Sequence, residues 1–305
     1  MAEQGFADLF VSASDGLRLH ARDYGPRAGH VLPVVCLPGL TRTAADFHDL
    51  AIALASGDST PARRVLAIDY RGRGQSEHDK DWRNYDVRVE FNDVLQVLMA
   101  AGVTEAIFVG TSRGGLVTMA LATARPALVR AAVLNDIGPE IDAKGLIRIR
   151  GYVGKLPQPR TYDEAVEILQ RLQSAQFPKL SAQSWLGMAR GTWTEHDGKL
   201  VPAYDPNLMK TLESIDLEQK LPTLWHLFEA LKPVPVLALR GANSDLLSAD
   251  ALRAMAAAHP RLTTATIPDQ GHAPLMEDDV IGLIRDFADR AAPTAAEAQR
   301  VPLAV

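Results

Sequence analysis

One cysteine, Cys36, is the whole thiol content of this 305-residue chain. That excludes an internal disulfide framework and any cysteine-rich zinc site. The sequence also lacks a run of about 18 apolar residues, so no segment is expected to span a membrane. The first residues carry acidic groups (Glu3, Asp8) and no long apolar stretch, which does not read as a signal peptide. Basic charge is in deficit: 32 Lys and Arg stand against 37 Asp and Glu, a net charge of −5. Nucleic-acid backbone binding needs a concentrated basic surface, and this balance gives it no support. His-Glu-x-x-His and carboxylate clusters at metal-ligand spacing are missing, so neither a metal nor an organic cofactor is expected. The apolar fraction of 47% supplies a buried core. The length suits one large domain or a core with an inserted subdomain. A reduced, cytoplasmic protein acting on a small molecule is the expectation; the oligomeric state stays open.

Short apolar runs alternate with turns and helical stretches. Residues 8–13 and 17–23 are strand-like around the turn Ser14-Asp15-Gly16 and predict a hairpin. Runs at 33–37, 65–68, 106–109, 131–134, 234–239 and 263–267 are apolar without alternation. Such strands suit a parallel sheet covered on both faces, the mark of an α/β fold. Helical periodicity is readable at 44–55, 87–101, 116–124, 249–258 and 279–288. From Pro139 to Ala230 the rhythm stops: short amphipathic stretches at 143–149, 162–172, 181–190 and 224–231 are separated by Gly and Pro. The expected organisation is a core over 1–138, an inserted helical subdomain over 139–230, a second core part over 231–292 and a mobile tail over 293–305.

The strongest chemical signal is Gly110-Thr111-Ser112-Arg113-Gly114-Gly115, between a strand and a helix. Gly-x-Ser-x-Gly in that context is a nucleophile elbow, a sharp turn that pushes the serine outward at a helix N-terminus. The Gly-x-Gly-x-x-Gly and Gly-Lys-Ser/Thr spacings of nucleotide sites are missing. A serine nucleophile needs a base, and the base needs an orienting acid. His272, in Gln270-Gly271-His272-Ala273-Pro274 after the last strand, is the candidate base among eight histidines. Asp245, after the strand at 234–239, is the preferred acid, with Asp136, after the strand at 131–134, as its rival. Asp245 gives the chain order Ser, Asp, His expected for such a set. Backbone N–H groups of Arg113 and Leu40 are the candidate oxyanion donors. The turn Asp69-Tyr70-Arg71-Gly72-Arg73-Gly74-Gln75-Ser76 reads as structural. Arg42 and Arg113 are placed either to hold an anionic substrate group or to make salt bridges. Trp185, Trp193 and Trp225 either line a pocket or pack the insert.

These pieces resemble the α/β-hydrolase superfamily, specifically its serine hydrolases with a helical cap. The resemblance rests on Leu37-Pro38-Gly39-Leu40, the Asp69–Ser76 turn, Gly110 to Gly115, Gly241 to Asp245 and Gly271-His272. It covers residues 6 to 290. It implies that the segment 139–230 is a cap over the elbow, with Arg42, Trp185 and Trp193 as substrate-binding candidates. It also implies a triad of Ser112, Asp245 and His272 acting through an acyl-enzyme on a carboxylic ester or lactone. Two alternatives on the same fold are a carbon–carbon bond hydrolase of a dioxo ring-fission product and a non-catalytic small-molecule receptor. Haloalkane dehalogenases and epoxide hydrolases of this fold carry aspartate where this chain has Ser112, which disfavours both. Pro38 stands where many members have glycine.

Overall fold

The computed structural model describes residues 5–29, 31–57, 61–219 and 221–291. The tail expected over 293–305 lies outside the described residues, as do Glu3 and His30. Ten strands and ten α-helices are described. In the first half they are β1 (Phe6–Ser12), β2 (Arg18–Tyr24), β3 (Val34–Leu37), α1 (His48–Ala55), β4 (Val65–Asp69), α2 (Val87–Ala100), β5 (Ala106–Thr111), α3 (Arg113–Ala124) and β6 (Val129–Asn135). The inserted stretch holds α4 (Ala143–Tyr152), α5 (Tyr162–Gln173), α6 (Ala182–Thr192), β7 (Trp193–His196), β8 (Lys199–Pro202), α7 (Met209–Glu213) and α8 (Trp225–Glu229). The chain then returns through β9 (Val236–Gly241), α9 (Ala249–Ala258), β10 (Leu262–Ile267) and α10 (Asp278–Ala291).

Eight strands form one sheet in the order β1-β2-β4-β3-β5-β6-β9-β10. The pairs β1/β2 and β2/β4 are antiparallel, and the rest are parallel. This is the α/β-hydrolase architecture. The unalternating apolar runs are explained by the two faces of the sheet. Val35, Leu37, Leu66, Ile68 and Phe108 face a cluster that includes Val94 and Val97 of α2 and Val117 of α3. Val34, Cys36, Val65, Ala67 and Ile107 face the opposite cluster, with Leu50 of α1 and Ile284 of α10. Each fully buried Val, Leu or Ile contributes about 1.5–3 kcal/mol. Cys36 belongs to this interior, and burial pushes its thiol up from the ordinary range.

The insert departs from the expected all-helical character. β7 and β8 form an antiparallel hairpin, and Asp197 and Gly198 both take positive φ (50° and 71°) between them. An Asp-Gly pair suits the two-residue turn whose twist matches paired strands. The strands are only four residues each and mostly polar outward, so no apolar run betrays them.

Candidate active site

The parallel register brings the carboxyl ends of the central strands level. Leu37 of β3 pairs with Gly110 of β5, Thr111 with Asn135 of β6, Asn135 with Leu239 of β9, and Ile267 of β10 with Gly241. Residues just beyond those ends therefore meet along one edge, the place where open α/β sheets form their sites.

Ser112 is the N-cap of α3 with φ 51° and ψ −111°. A non-glycine residue in such a region costs about 1–3 kcal/mol and persists only where its surroundings impose it. Here its N–H donates to Asn135 O at 2.9 Å, and Gly115 N–H donates back to its carbonyl at 2.9 Å. Close packing enforces the turn: a Cβ on Gly114 would sit 2.6 Å from the carbonyl carbon of Leu37, and one on Gly110 would meet the Gly114 backbone.

Ser112 Oγ lies 2.9 Å from Nε2 of His272, and His272 Nδ1 lies 2.7 Å from Oδ2 of Asp136. The structure thus brings Ser112 and His272 together, but with Asp136 rather than Asp245 as the acid beside the ring. Asp136 is fully buried at the end of β6 with φ 56°. Its Oδ1 accepts from Gly241 N–H at 2.8 Å, and its Oδ2 accepts from Ser244 Oγ at 2.5 Å.

Asp245 is engaged elsewhere. Arg148 of α4 donates to both of its oxygens, from Nε at 2.6 Å and Nη2 at 2.9 Å. Burial alone would raise the Asp245 carboxyl; the guanidinium outweighs it and holds it below the usual carboxylate value. Position after β9 made Asp245 the expected acid. Asp136 lies beside the ring because its left-handed backbone turns the carboxylate across the β9 end to His272.

The two expected oxyanion donors, Arg113 and Leu40, lie on the segments next to Ser112. Arg113 opens α3, so its N–H has no helical acceptor. Leu40 follows Gly39, which passes over the nucleophile: a Cβ there would lie 3.9 Å from Ser112 Cβ. The Leu40 N–H has no acceptor among the described residues.

The other candidates are committed to structure. The Arg42 guanidinium bonds both oxygens of Asp46 and Thr192 Oγ1. Arg113 turns its guanidinium to Glu90 and Tyr85 O. Trp185 and Trp193 are buried in the insert's own cluster with Ala165, Leu169, Phe177 and Leu200. Trp185 also borders a shallow groove, but all its lining residues belong to the insert. Trp225 Nε1 donates to Glu140.

Two residues escaped the sequence reading. Asn135, fully buried, donates from Nδ2 to Thr111 Oγ1 at 3.2 Å and to Pro274 O at 2.9 Å, which ties the His272 loop to β5. Gln176 of the insert accepts from His272 N–H through Oε1 at 3.0 Å. Neither forms a sequence motif; an amide at a strand end beside a candidate acid was the one available hint for Asn135.

The insert lies across this same edge of the sheet. Besides Gln176 and Arg148, it meets the core where Gly74 N–H donates to Ala203 O and Asp205 N–H donates to Gly72 O. Among the described residues no helix is long and apolar enough to cross a membrane.

The arrangement of strand ends, elbow and histidine loop agrees with comparison to known proteins. The sequence profile of the Alpha/beta hydrolase family matches residues 34–282. A 3-hydroxybutyrate-oligomer hydrolase of Cupriavidus necator is 35% identical over 287 residues, 88% of this chain and 92% of the relative. A 2-(acetamidomethylene)succinate hydrolase of Mesorhizobium japonicum is 27% identical, over 77% of this chain and 79% of its own. The crystal structure of an alpha/beta hydrolase from Novosphingobium aromaticivorans superposes with a TM-score of 0.87 at 40% identity, covering 95% of this chain and 99% of that one. With the profile spanning most of the sheet and both parts of the site, the chain belongs to the alpha/beta hydrolase family and is a hydrolase.

Proposed function

We propose that this hydrolase cleaves short carboxylic esters through an acyl-enzyme on Ser112, with oligoesters of small hydroxy acids as its substrate class. The observation that carries the reading is the unbroken hydrogen-bond chain from Ser112 Oγ through His272 to Asp136. His272 Nδ1–H donates to Asp136, which leaves Nε2 free to accept the serine proton. Ser112 Oγ attacks the ester carbonyl carbon as its proton passes to Nε2. Asp136 stabilises the imidazolium, and the N–H groups of Leu40 and Arg113 hold the oxyanion. Collapse expels the alcohol, which takes the proton from Nε2. Water, deprotonated by the same nitrogen, then attacks the acyl-serine and releases the acid.

The substrate class draws on the likeness to the hydrolase of 3-hydroxybutyrate oligomers, which runs through nearly the full length of both chains. The segment 139–230 acts as the cap, because its contacts with Arg42, the Gly72–Gly74 turn, Asp245 and His272 surround the serine.

The test compares wild type with Ser112→Ala on 3-hydroxybutyrate dimer and trimer, p-nitrophenyl acetate and butyrate, a lactone and a dioxo dienoic acid. Turnover by wild type alone, with the highest kcat/KM on the oligomers, is expected. Equal activity in Ser112→Ala overturns the mechanism. A preference for the dioxo acid overturns the substrate class.

A further inference from the structure

The turn after β4 buries an arginine that the proposed chemistry does not use. Arg73 is fully buried, with its guanidinium over the rings of Tyr70 and Tyr85 at 5.6 and 5.5 Å. Its Nε donates to the carbonyl of Leu40 at 2.8 Å, and Nη1 donates to Arg71 O at 2.7 Å. The same Nη1 pairs with Oε1 of Glu90 at 2.7 Å. Glu90 is fully buried on the inward stripe of α2, where Val94, Val97 and Leu98 pack into the core. Its second oxygen, Oε2, accepts from Nε of Arg113 at 2.5 Å. Arg113 Nη2 donates to Tyr85 O at 2.7 Å.

One carboxylate therefore connects the two halves of the candidate oxyanion hole. On one side Arg73 grips Leu40; on the other the partner is Arg113 itself. We propose that Glu90 is a positioning residue for oxyanion stabilisation: its carboxylate fixes the Leu40 loop and the first turn of α3 relative to each other. This rests on the Ser112 reading above. Donors stabilise a transition state in proportion to how well they are held before charge develops, and losing one outright costs about 10²–10³ in rate. Glu90 touches neither donor N–H, so its removal loosens both and abolishes neither. The same reasoning explains why a carboxylic side chain is retained on the inward stripe of α2, which buries Asp93 as well as its apolar residues. A lone buried charge is costly, and here two guanidinium groups flank the carboxylate, while Oε1 of Glu90 and Nη2 of Arg73 are buried without a hydrogen-bond partner.

The experiment measures kcat and KM of Glu90→Gln, Arg113→Met and Arg113→Lys on the ester that wild type cleaves best. Rates are expressed per active site titrated with a fluorophosphonate. The inhibition constant of the matching trifluoromethyl ketone, whose adduct carries the oxyanion, is read alongside. Glu90→Gln is expected to lower kcat about 10–100-fold with KM within about threefold, a fraction of the loss of a whole donor. The ketone should weaken in parallel with kcat/KM. Arg113→Met, which leaves Arg73 and Glu90 paired, should show a smaller loss of the same kind, and Arg113→Lys should recover part of it. If Glu90→Gln does not fold, the two Arg113 variants decide. Unchanged kcat per titrated site and unchanged ketone affinity, with only a lower melting temperature, overturn the proposal. Full activity in Ser112→Ala overturns instead the reading on which it rests.

Discussion

Oδ2 of Asp136 lies 2.7 Å from Nδ1 of His272, and the same oxygen takes the hydroxyl of Ser244 at 2.5 Å. The imidazole is thereby fixed from the end of β6, one strand from the nucleophile. If Asp136 is the orienting acid, Asp136→Asn leaves the shape and reverses the favoured tautomer. A loss in kcat on the order of 10³–10⁴ is expected. Asp245→Asn should lose less than about tenfold, because its partner is Arg148 and not the ring. Steady-state kinetics of the two variants on one ester separate these outcomes, and equal losses would contradict the assignment.

The Arg148–Asp245 pair ties α4 of the insert to the end of β9. Its two parallel, charge-assisted hydrogen bonds and partial burial set its worth at about 1.5–3 kcal/mol. The sign of its pH dependence follows from the depressed Asp245 carboxyl. A lowered folded value stabilises above the unfolded value near 3.9 and is lost as pH falls through the folded one. Asp245→Asn should therefore be less stable than wild type by the same amount at pH 7 and pH 5, with the gap closing as pH drops below about 4. Urea midpoints across that range measure it. A gap that grows on acidification would show that the pair contributes in the opposite sense.

Much of this molecule was legible because its signals are steric. The unalternating apolar runs gave the parallel strands, and the glycines around Ser112 gave the elbow, since both follow from what fits between packed neighbours. The acid was harder to read. Asp136 and Asp245 both follow strands, and the choice depends on the backbone turn at Asp136 and on Arg148, 97 residues before Asp245 in the chain. The β7–β8 hairpin was hidden for a different reason: its strands are short and mostly polar, though Asp197-Gly198 marks the turn. For the tryptophans of the insert, packing is the stronger reading from sequence and a pocket lining the weaker, and the insert's own core at Ala165, Leu169 and Phe177 holds Trp185 and Trp193 in packing.

His20 is a buried histidine that bridges two carboxylates. Its Nδ1 lies 2.7 Å from Asp69 Oδ2, its Nε2 lies 2.9 Å from Asp8 Oδ1, and the Phe10 ring and the Gln75 amide complete its surroundings. Burial opposes its charge, but the two carboxylates outweigh it and raise its affinity for protons. A raised folded value stabilises fully below the unfolded value near 6.5 and is lost as pH rises through the folded one. Asp69 also accepts from Ala44 N–H at 2.7 Å and Gln75 N–H at 3.1 Å, so the bridge supports the loop beyond Leu40. His20→Asn should be destabilised most at pH 6 and progressively less towards pH 9. Denaturation midpoints at pH 6, 7.5 and 9 test this, and a deficit that is flat with pH would contradict it.

Two glycines should respond to alanine in opposite directions. Gly114 has no room: the added methyl would press on the Leu37 carbonyl, which is backbone and cannot swing aside. Gly114→Ala must therefore displace β3 or the start of α3, and a loss of about 3 kcal/mol is expected, together with loss of the Ser112 turn and hence of activity. Gly187 lies inside α6, exposed, with nothing within 4 Å of where a Cβ would go. Alanine there removes unfolded-chain entropy without a clash, which should stabilise by about 0.5–1 kcal/mol. Because Gly187 is on the insert, a higher urea midpoint in Gly187→Ala also reports on how the insert unfolds. If insert and core unfold as one cooperative unit, fluorescence of the insert's Trp185 and Trp193, read in a Trp82→Phe, Trp225→Phe background, and far-ultraviolet dichroism of the whole chain shift together. If the insert unfolds first, only the fluorescence transition moves.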